Sequence, residues 1–417
     1  MKYFRIKLKT GHESIYSNDM KKPSPMTTPR GFFFSVTEAA IKKPGRKDLA
    51  LIFSEAESAI AGTFTTNTVK AAPVRICMQK IRSGKGQAIV VNSGNANACT
   101  GKQGLKDAQE IIAKIAKQLG ISRSLTYICS TGVIGTPMPM QRIIPAIGPL
   151  AGDLGNSSFD DIAKAIMTTD TFPKIIARQV KIQGKQGIIA GVCKGAGMIA
   201  PNMATMLCFI ITDIAVDKKT LHAALKGSVR KSFNRITIDG DMSTNDTALI
   251  MANGILGNRP ITKLSAEFPI FQKALDDLTY DLSRLIVKDG EGATKIVEII
   301  VKNARSEEDA EKTALAIANS SLVKTAIYGN DANWGRIMAA AGYSKTRFNP
   351  ETTDIFFNKV QVVKKGIMNN KDGEATEEMK GKELKITVDL HAGKASAKVL
   401  TCDLTEDYIR INAEYRT

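Results

Sequence analysis

The stretch KGAGMIAPNMATMLCFIITDIAV, residues 194–216, places a glycine-rich turn directly before a long apolar run. Its segment GAGMIA (195–200) imitates a dinucleotide-binding fingerprint, but that fold needs a crossover helix of about ten residues before the next strand. Pro201 intervenes and the apolar run already begins at Met206, so no such helix fits. The stretch therefore predicts a flexible turn that leads Thr205 to the mouth of a buried strand.

Short apolar runs rich in branched residues alternate with amphipathic segments on both sides of this stretch. The apolar runs predict strands over 49–53, 59–64, 88–91, 187–192, 206–216, 384–390, 395–402 and 408–415. Residues 105–119 form one apolar stripe at helical spacing and are followed by Gly120, which is typical of a helix end. The fold class is therefore predicted as α/β or α+β.

Composition excludes several classes of protein. The chain has 417 residues, enough for two or three structural units, and 58 Lys and Arg against 41 Asp and Glu give a net charge of +17. Aromatic residues make up only 6%, and the basic residues are scattered, which disfavours a nucleic-acid-binding role.

The apolar runs are too short to span a bilayer, and the N-terminus lacks a signal-peptide core, so we expect a cytoplasmic protein. The six cysteines are far apart and none has metal-ligand spacing, so no metal site is expected.

The chain has only three histidines, His12, His222 and His391, and each lies in a segment that favours a surface or packing role. Acyl chemistry would then need another base, such as a lysine, a carboxylate or a liberated N-terminal amine. Thr205 fits the last option. Its hydroxyl could attack the preceding carbonyl, and hydrolysis of the resulting ester would free an α-amine with a pKa of about 7.7 to 8.0, which can act as the base.

Several loops dense in Gly, Asn, Thr and Asp occur in the same order as in one known family. They are SGNANACTG (93–101), STGVIG (130–135), MTTDT (167–171), KGAGMIAPNMATML (194–207), DGEGATK (289–295), GNDANWGR (329–336) and INAEYRT (411–417). With these motifs the sequence resembles the ornithine acetyltransferase family, also called glutamate N-acetyltransferases, of arginine biosynthesis. The resemblance runs from about residue 31 to the end and leaves a loose basic leader over 1–30 unexplained.

The resemblance implies that the chain cuts itself between Ala204 and Thr205. The products would be an α chain, with residues 31–204 following the leader, and a β chain, residues 205–417. The two chains would stay together as one catalytic unit and pair as an α2β2 assembly. The implied fold is the α/β arrangement shared with the self-processing peptidases of the DmpA type.

The implied reaction is a ping-pong acetyl transfer from N2-acetyl-L-ornithine to L-glutamate through an acetyl ester of Thr205, with no cofactor. By the same resemblance Thr131 and Gly132 form the oxyanion hole, where preorganised donors stabilise the tetrahedral oxygen. The implied substrate-binding residues are Thr168, Lys194, Thr205, Glu291, Asn412 and Thr417.

Three alternatives stay open at the level of sequence. The enzyme could also acetylate glutamate from acetyl-CoA, which would then be a second donor substrate. It could be a self-processing aminopeptidase or amidase of the same fold, in which water resolves the acyl-enzyme. The most distant alternative is a basic nucleic-acid-binding protein.

Overall fold

The computed structural model describes residues 28–200 and 206–414. The leader predicted over 1–30 lies outside the described residues except for its last three positions. Within the described ranges the chain forms fourteen strands and eleven α-helices in two sheet-based units. The mixed α/β class predicted from the sequence is confirmed.

The first unit is built on an eight-stranded sheet in which β1 pairs with β2 and the remaining strands follow the order β4-β3-β2-β8-β7-β6-β5. Its strands are β1 (Phe32–Thr37), β2 (Leu49–Phe64), β3 (Lys85–Asn95), β4 (Thr126–Val133), β5 (Lys174–Ile182), β6 (Lys185–Lys194), β7 (Leu207–Thr212) and β8 (Thr247–Ala252). Its helices are α1 (Ala72–Lys80), α2 (Gly101–Leu119), α3 (Met140–Gly152), α4 (Phe159–Ala165), α5 (Lys218–Lys231) and α6 (Phe268–Lys288).

Strands β7 and β8 lie in the interior of this sheet. They are parallel to each other, and they are flanked by antiparallel neighbours, β6 on one side and β2 on the other. All six residues of β7 are buried, as are all six of β8. Apolar side chains cover both faces of a strand of this kind, which accounts for the continuous apolar run that the sequence shows after Met206.

Alternate residues of these strands contribute to two different cores. Ile210 and Ile250 pack on one face with the apolar stripes of α5 and α6. Phe209 and Leu249 pack on the other face with α4. This division follows from the period of two in a strand, which sends successive side chains to opposite faces of the sheet.

The second unit is a six-stranded sheet in the order β12-β11-β10-β13-β9-β14 with its own apolar core. Its strands are β9 (Ile296–Ala304), β10 (Asp354–Phe357), β11 (Val360–Lys364), β12 (Ile367–Met368), β13 (Glu383–Asp389) and β14 (Ala395–Cys402). Its helices are α7 (Glu307–Ala318), α8 (Ser321–Tyr328), α9 (Trp334–Gly342) and α10 (Asp372–Met379), and the final helix, α11 (Glu406–Ala413), follows β14.

Two sequence predictions need correction. The two strands expected over 49–64 are one strand, β2, because a change of register between Phe53 and Ser58 lets the chain bend without leaving the sheet. The strand predicted over 408–415 is wrong, because α11 occupies 406–413. The side chain of Thr405 accepts a hydrogen bond from the Tyr408 N–H and so begins a helix at this point.

No helix within 28–200 and 206–414 has the length and apolar character needed to cross a membrane.

Candidate active site

Six of the seven segments that resemble family motifs contribute residues to the lining of one cavity of about 240 Å³, and GNDANWGR (329–336) does not. Six of the predicted site residues line it: Thr131, Gly132, Thr168, Lys194, Glu291 and Asn412. They come from the ends of β4 and β6, from the segment after α4, from the segment after α6 and from α11. Distant parts of the chain therefore line this one cavity.

The predicted cleavage pair, Ala204 and Thr205, and the C-terminal Thr417 lie outside the described residues. The chain is described again from Met206, whose N–H donates to Oδ1 of Asp246 at 2.7 Å. Leu207 is the register partner of Lys194 across the β6–β7 pair. The described chain that follows residue 205 therefore starts next to a residue that lines the cavity.

The predicted oxyanion residues occupy a tight pairing between two parallel strands. Gly132 of β4 is the register partner of Gly94 of β3, and its φ of +134° lies in a region that side chains rarely adopt. A Cβ on Gly132 would lie 2.2 Å from the carbonyl carbon of Gly94. The backbone path along this wall of the cavity therefore depends on glycine at position 132.

Lys194 is buried beside the carboxylate of Asp170, with 4.0 Å between its Nζ and Oδ2 of Asp170. Burial lowers the pKa of Lys194, and the nearby carboxylates, Asp170 foremost, oppose that shift. The lysine can therefore carry a positive charge at the cavity, but it loses its proton more readily than an exposed lysine does.

Asp170 is the centre of a buried ionic network behind the cavity. Its carboxylate accepts hydrogen bonds from the N–H groups of Thr168 at 3.0 Å and Gly195 at 2.7 Å. Nζ of Lys174 lies 2.7 Å from the same carboxylate and also contacts Asp289. Burial alone would raise the pKa of Asp170, but the two lysine ammonium groups and these hydrogen bonds lower it to about 2.

Glu291 is held at the opposite wall of the cavity. Its N–H donates to the carbonyl of Ala196 at 2.8 Å, and its Oε2 accepts a hydrogen bond from Nδ2 of Asn412 at 2.9 Å. A Cβ added to Gly197 would lie 2.3 Å from the same Oε2. The glycine-rich turn thus leaves room for the carboxylate of Glu291, which α11 fixes from the other side.

A family model described as the ArgJ family matches residues 33–417 of the sequence. The chain belongs to the ArgJ family.

Named relatives are similar over almost the whole length. The Arginine biosynthesis bifunctional protein ArgJ of Geobacter sulfurreducens is 54% identical over 390 residues, which cover 93% of this chain and 99% of the relative. The Glutamate N-acetyltransferase of Methanocaldococcus jannaschii is 47% identical over 406 residues, 94% of this chain and 98% of the relative. Among solved structures, the ArgJ protein of Bacillus halodurans has 44% identity and a TM-score of 0.48, and the match covers 49% of this chain and 97% of that one.

Membership of the ArgJ family confirms the resemblance stated from the motifs. The roles of the individual residues stay predictions, and the geometry adds that six of them face one cavity. No group of three or more potential metal ligands occurs within residues 28–200 and 206–414.

Sequence reasoning missed Asn245, which lines the cavity of this ArgJ-family chain. Its Nδ2 donates to the carbonyls of Ala96 and Ser130, at 2.7 Å each, and so ties the start of β8 to the ends of β3 and β4. The only signal was the density of small polar residues over 238–247, which also resembles an incomplete calcium loop. Pairwise spacing along the sequence gave no reason to select this asparagine.

Replacement of Gly197 with Ala is expected to displace the carboxylate of Glu291 while the fold survives, because the clash is with the end of a flexible side chain. The KM for an amino-acid substrate should rise about tenfold, the loss expected for one hydrogen bond to a charged group. The melting temperature should change little. Gly148→Ala is a matched control, since nothing lies within 4 Å of the added Cβ. Unchanged kinetics in Gly197→Ala would contradict the contact.

Proposed function

We propose that this chain is a glutamate N-acetyltransferase of arginine biosynthesis that moves the acetyl group of N2-acetyl-L-ornithine to L-glutamate. The observation that carries this proposal is the convergence of six predicted residues on one cavity, beside the strand that begins just after Thr205. Family membership and the names of the similar proteins support it.

In the proposed maturation, the hydroxyl of Thr205 attacks the carbonyl of Ala204 and the peptide becomes an ester. Water then hydrolyses this ester, which leaves a carboxylate on Ala204 and a free α-amine on Thr205. That amine can take the proton of its own hydroxyl, so the reaction needs no histidine. Of the two histidines within the described residues, His222 and His391, neither lines the cavity.

In the proposed transfer, the hydroxyl of Thr205 attacks the acetyl carbonyl of acetylornithine, and the α-amine accepts its proton. Ornithine leaves after it receives that proton, and the acetyl group stays as an ester on Thr205. The α-amine of glutamate then attacks the ester and releases N-acetylglutamate. Thr131 and Gly132 would supply the donors that stabilise the oxyanion in both steps.

Charge assigns two further roles in the proposal. Lys194 lines the cavity, and in its protonated form it can pair with the α-carboxylate that both substrates share. The carboxylate of Glu291 can bind the side-chain ammonium of ornithine, with Asn412 holding it in place. Thr168 and Thr417 would contribute polar contacts to the bound amino acid.

A direct assay tests the proposed reaction. The purified protein, supplied with acetylornithine and glutamate, should form ornithine and N-acetylglutamate in equal amounts. Without glutamate, the release of ornithine should stop after one equivalent per site. Continuous consumption of acetylornithine in the absence of glutamate would show an amidase instead.

Replacement of Glu291 with Gln tests the site itself. Because the amide has no charge for the ornithine ammonium, the KM for acetylornithine should rise about tenfold to a hundredfold. The KM for glutamate should change much less. Glu406→Gln, an exposed residue in the first turn of α11, is the control. Equal changes in the two KM values would contradict the assigned role.

A second activity is proposed from the word bifunctional in the names of several relatives. This chain would also acetylate glutamate from acetyl-CoA as donor. An assay with acetyl-CoA as the sole acetyl donor decides whether this second activity exists.

The proposal also includes an α2β2 assembly of the cleaved chains in the cytoplasm. The mass of the assembly in solution tests the subunit arrangement.

A further inference from the structure

A second cavity, of about 220 Å³, adjoins the candidate active site. We call it the basic cavity, because its lining includes Lys42, Lys43 and Arg46. The two cavities share four lining residues: Gly132, Val133, Thr168 and Thr169. A ligand that enters one cavity can therefore extend past these shared residues into the other.

The charge of the basic cavity is not balanced by its own lining. Asp48 is the one acidic residue among the described residues that line it, and both of its carboxylate oxygens accept main-chain hydrogen bonds, from Ala39 at 2.7 Å and Ile41 at 2.6 Å. Nη2 of Arg46 donates to the carbonyl of Met167 at 2.6 Å and to a serine hydroxyl. These neutral partners fix the guanidinium without cancelling its charge, so the basic cavity favours an anionic ligand.

The proposed reaction requires two side chains of opposite charge to be bound in turn. Ornithine ends in an ammonium group, whereas glutamate ends in a carboxylate. Glu291 can attract the first, but it repels the second at close range. One subsite cannot serve both substrates well, so the acceptor needs a separate place for its side chain.

We propose that the basic cavity binds the side-chain carboxylate of the acetyl acceptor, with Arg46 and Lys43 as its charge partners. The inference rests on the proposed function. In this arrangement both amino acids place their reacting groups in the candidate active site. The ornithine side chain then extends toward Glu291, whereas the glutamate side chain extends past Gly132 and Thr168 into the basic cavity. Arg46 suits this role because a guanidinium can pair with a carboxylate through two parallel hydrogen bonds.

The test compares two charge reversals on one loop. Lys43 and Lys47 are both exposed, but only Lys43 lines the basic cavity. Lys43→Glu should raise the KM for glutamate about tenfold, whereas Lys47→Glu, which changes the net charge by the same amount, should leave it within about twofold. Arg46→Gln should give at least the effect of Lys43→Glu, and Arg46→Lys should restore part of the affinity.

Two further measurements distinguish a loss of carboxylate binding from a general loss of activity in the variants. Release of ornithine from acetylornithine in the first turnover should be unchanged, because that step involves no anionic side chain. Glutamine as acceptor should show the same KM in the wild type and in the Lys43 and Arg46 variants, since it lacks the charge. Equal losses with glutamate and glutamine, or equal effects of the two lysine reversals, would overturn the inference.

Phosphate groups of acetyl-CoA are the other source of negative charge at this position. If the variants raise only the KM for acetyl-CoA and leave the KM for glutamate unchanged, the basic cavity serves a donor and the inference is wrong. If the wild type transfers no acetyl group at all, the proposed function fails by itself. Calorimetry would then measure the affinity of the wild type and of Arg46→Gln for glutamate and for glutamine. The inference is overturned unless the substitution weakens the binding of glutamate and leaves the binding of glutamine unchanged.

Discussion

A Thr205→Ala chain is expected to stay in one piece and to lose its acetyl-transfer activity by about a thousandfold or more, as removal of an essential nucleophile does. Alanine lacks the hydroxyl that both the cleavage and the transfer require. A denaturing gel should show two bands of similar size for the wild type and one larger band for the variant.

Charge gives an independent check on the position of the cut. Residues 1–204 contain 28 Lys and Arg against 12 Asp and Glu, whereas residues 205–417 contain 30 against 29. The two products should therefore separate widely by isoelectric focusing under denaturing conditions. Thr205→Ser is the matched control and should retain part of both activities, because only a methyl group is lost. An active or cleaved Thr205→Ala chain would refute the mechanism.

Replacement of Asp170 with Ala should destabilise the fold by about 3 to 5 kcal/mol, the cost of removing one partner of a buried ion pair. The substitution leaves the ammonium groups of Lys174 and Lys194 buried close together, with Asp289 as the remaining carboxylate of the network. It also removes the acceptor for the N–H groups of Thr168 and Gly195. Urea unfolding of the purified variant measures the loss.

Matched variants separate the charge from the hydrogen bonds. Asp170→Asn retains an acceptor oxygen, so it should be less destabilised than Asp170→Ala, although its transfer activity should still fall. Asp160→Asn removes one partner of a surface pair with Lys164 and should cost about 1 kcal/mol or less. If the Asp170 and Asp160 variants were equally stable, the buried network would have no energetic role.

Stability at low pH should depend on the same carboxylate. The pKa of Asp170 is lowered to about 2 in the fold, below the value of about 3.9 in an unfolded chain. Its contribution is therefore fully present above about pH 4 and is lost as the pH falls toward 2. Across this range Asp170→Asn should lose less stability than the wild type, as acid titrations of the unfolding free energy would show. Parallel curves for the two proteins would contradict the assignment.

The sequence predicted some buried strands and missed others, since β7 lies within the run predicted over 206–216, whereas β8, which is equally buried, was not predicted. Strand β6 contains the run 187–192, and β7 lies within the run 206–216, because branched apolar residues at those positions fit the interior of a sheet. The same preference misled at 408–415, where tyrosine and isoleucine residues suggested a strand. There the cap at Thr405 and the acidic first turn of α11 decide the local structure.

Motifs predicted six of the residues that line the candidate cavity, and chemical reasoning from the residues alone predicted only part of the candidate site. Glycine and small polar residues before a buried strand pointed to Thr205, and the family resemblance supplied the partners. The network around Asp170 and the amide of Asn245 could not be predicted, because their contacts join positions 115 and 149 residues apart. Such pairings depend on which strands become neighbours in the sheet, and no local sequence pattern specifies those neighbours.

The interior position of β7 and β8 also determines whether folding or the proposed cleavage comes first. Both strands belong to the segment after residue 205, yet they are hydrogen-bonded between β2 and β6, which belong to the segment before it. Neither half could complete the sheet alone, and each would expose unpaired strand edges that invite aggregation. The proposed maturation would therefore follow folding of the uncut chain. After the proposed cut, strand pairing would hold the two polypeptides together, and halves synthesised separately should reassemble poorly.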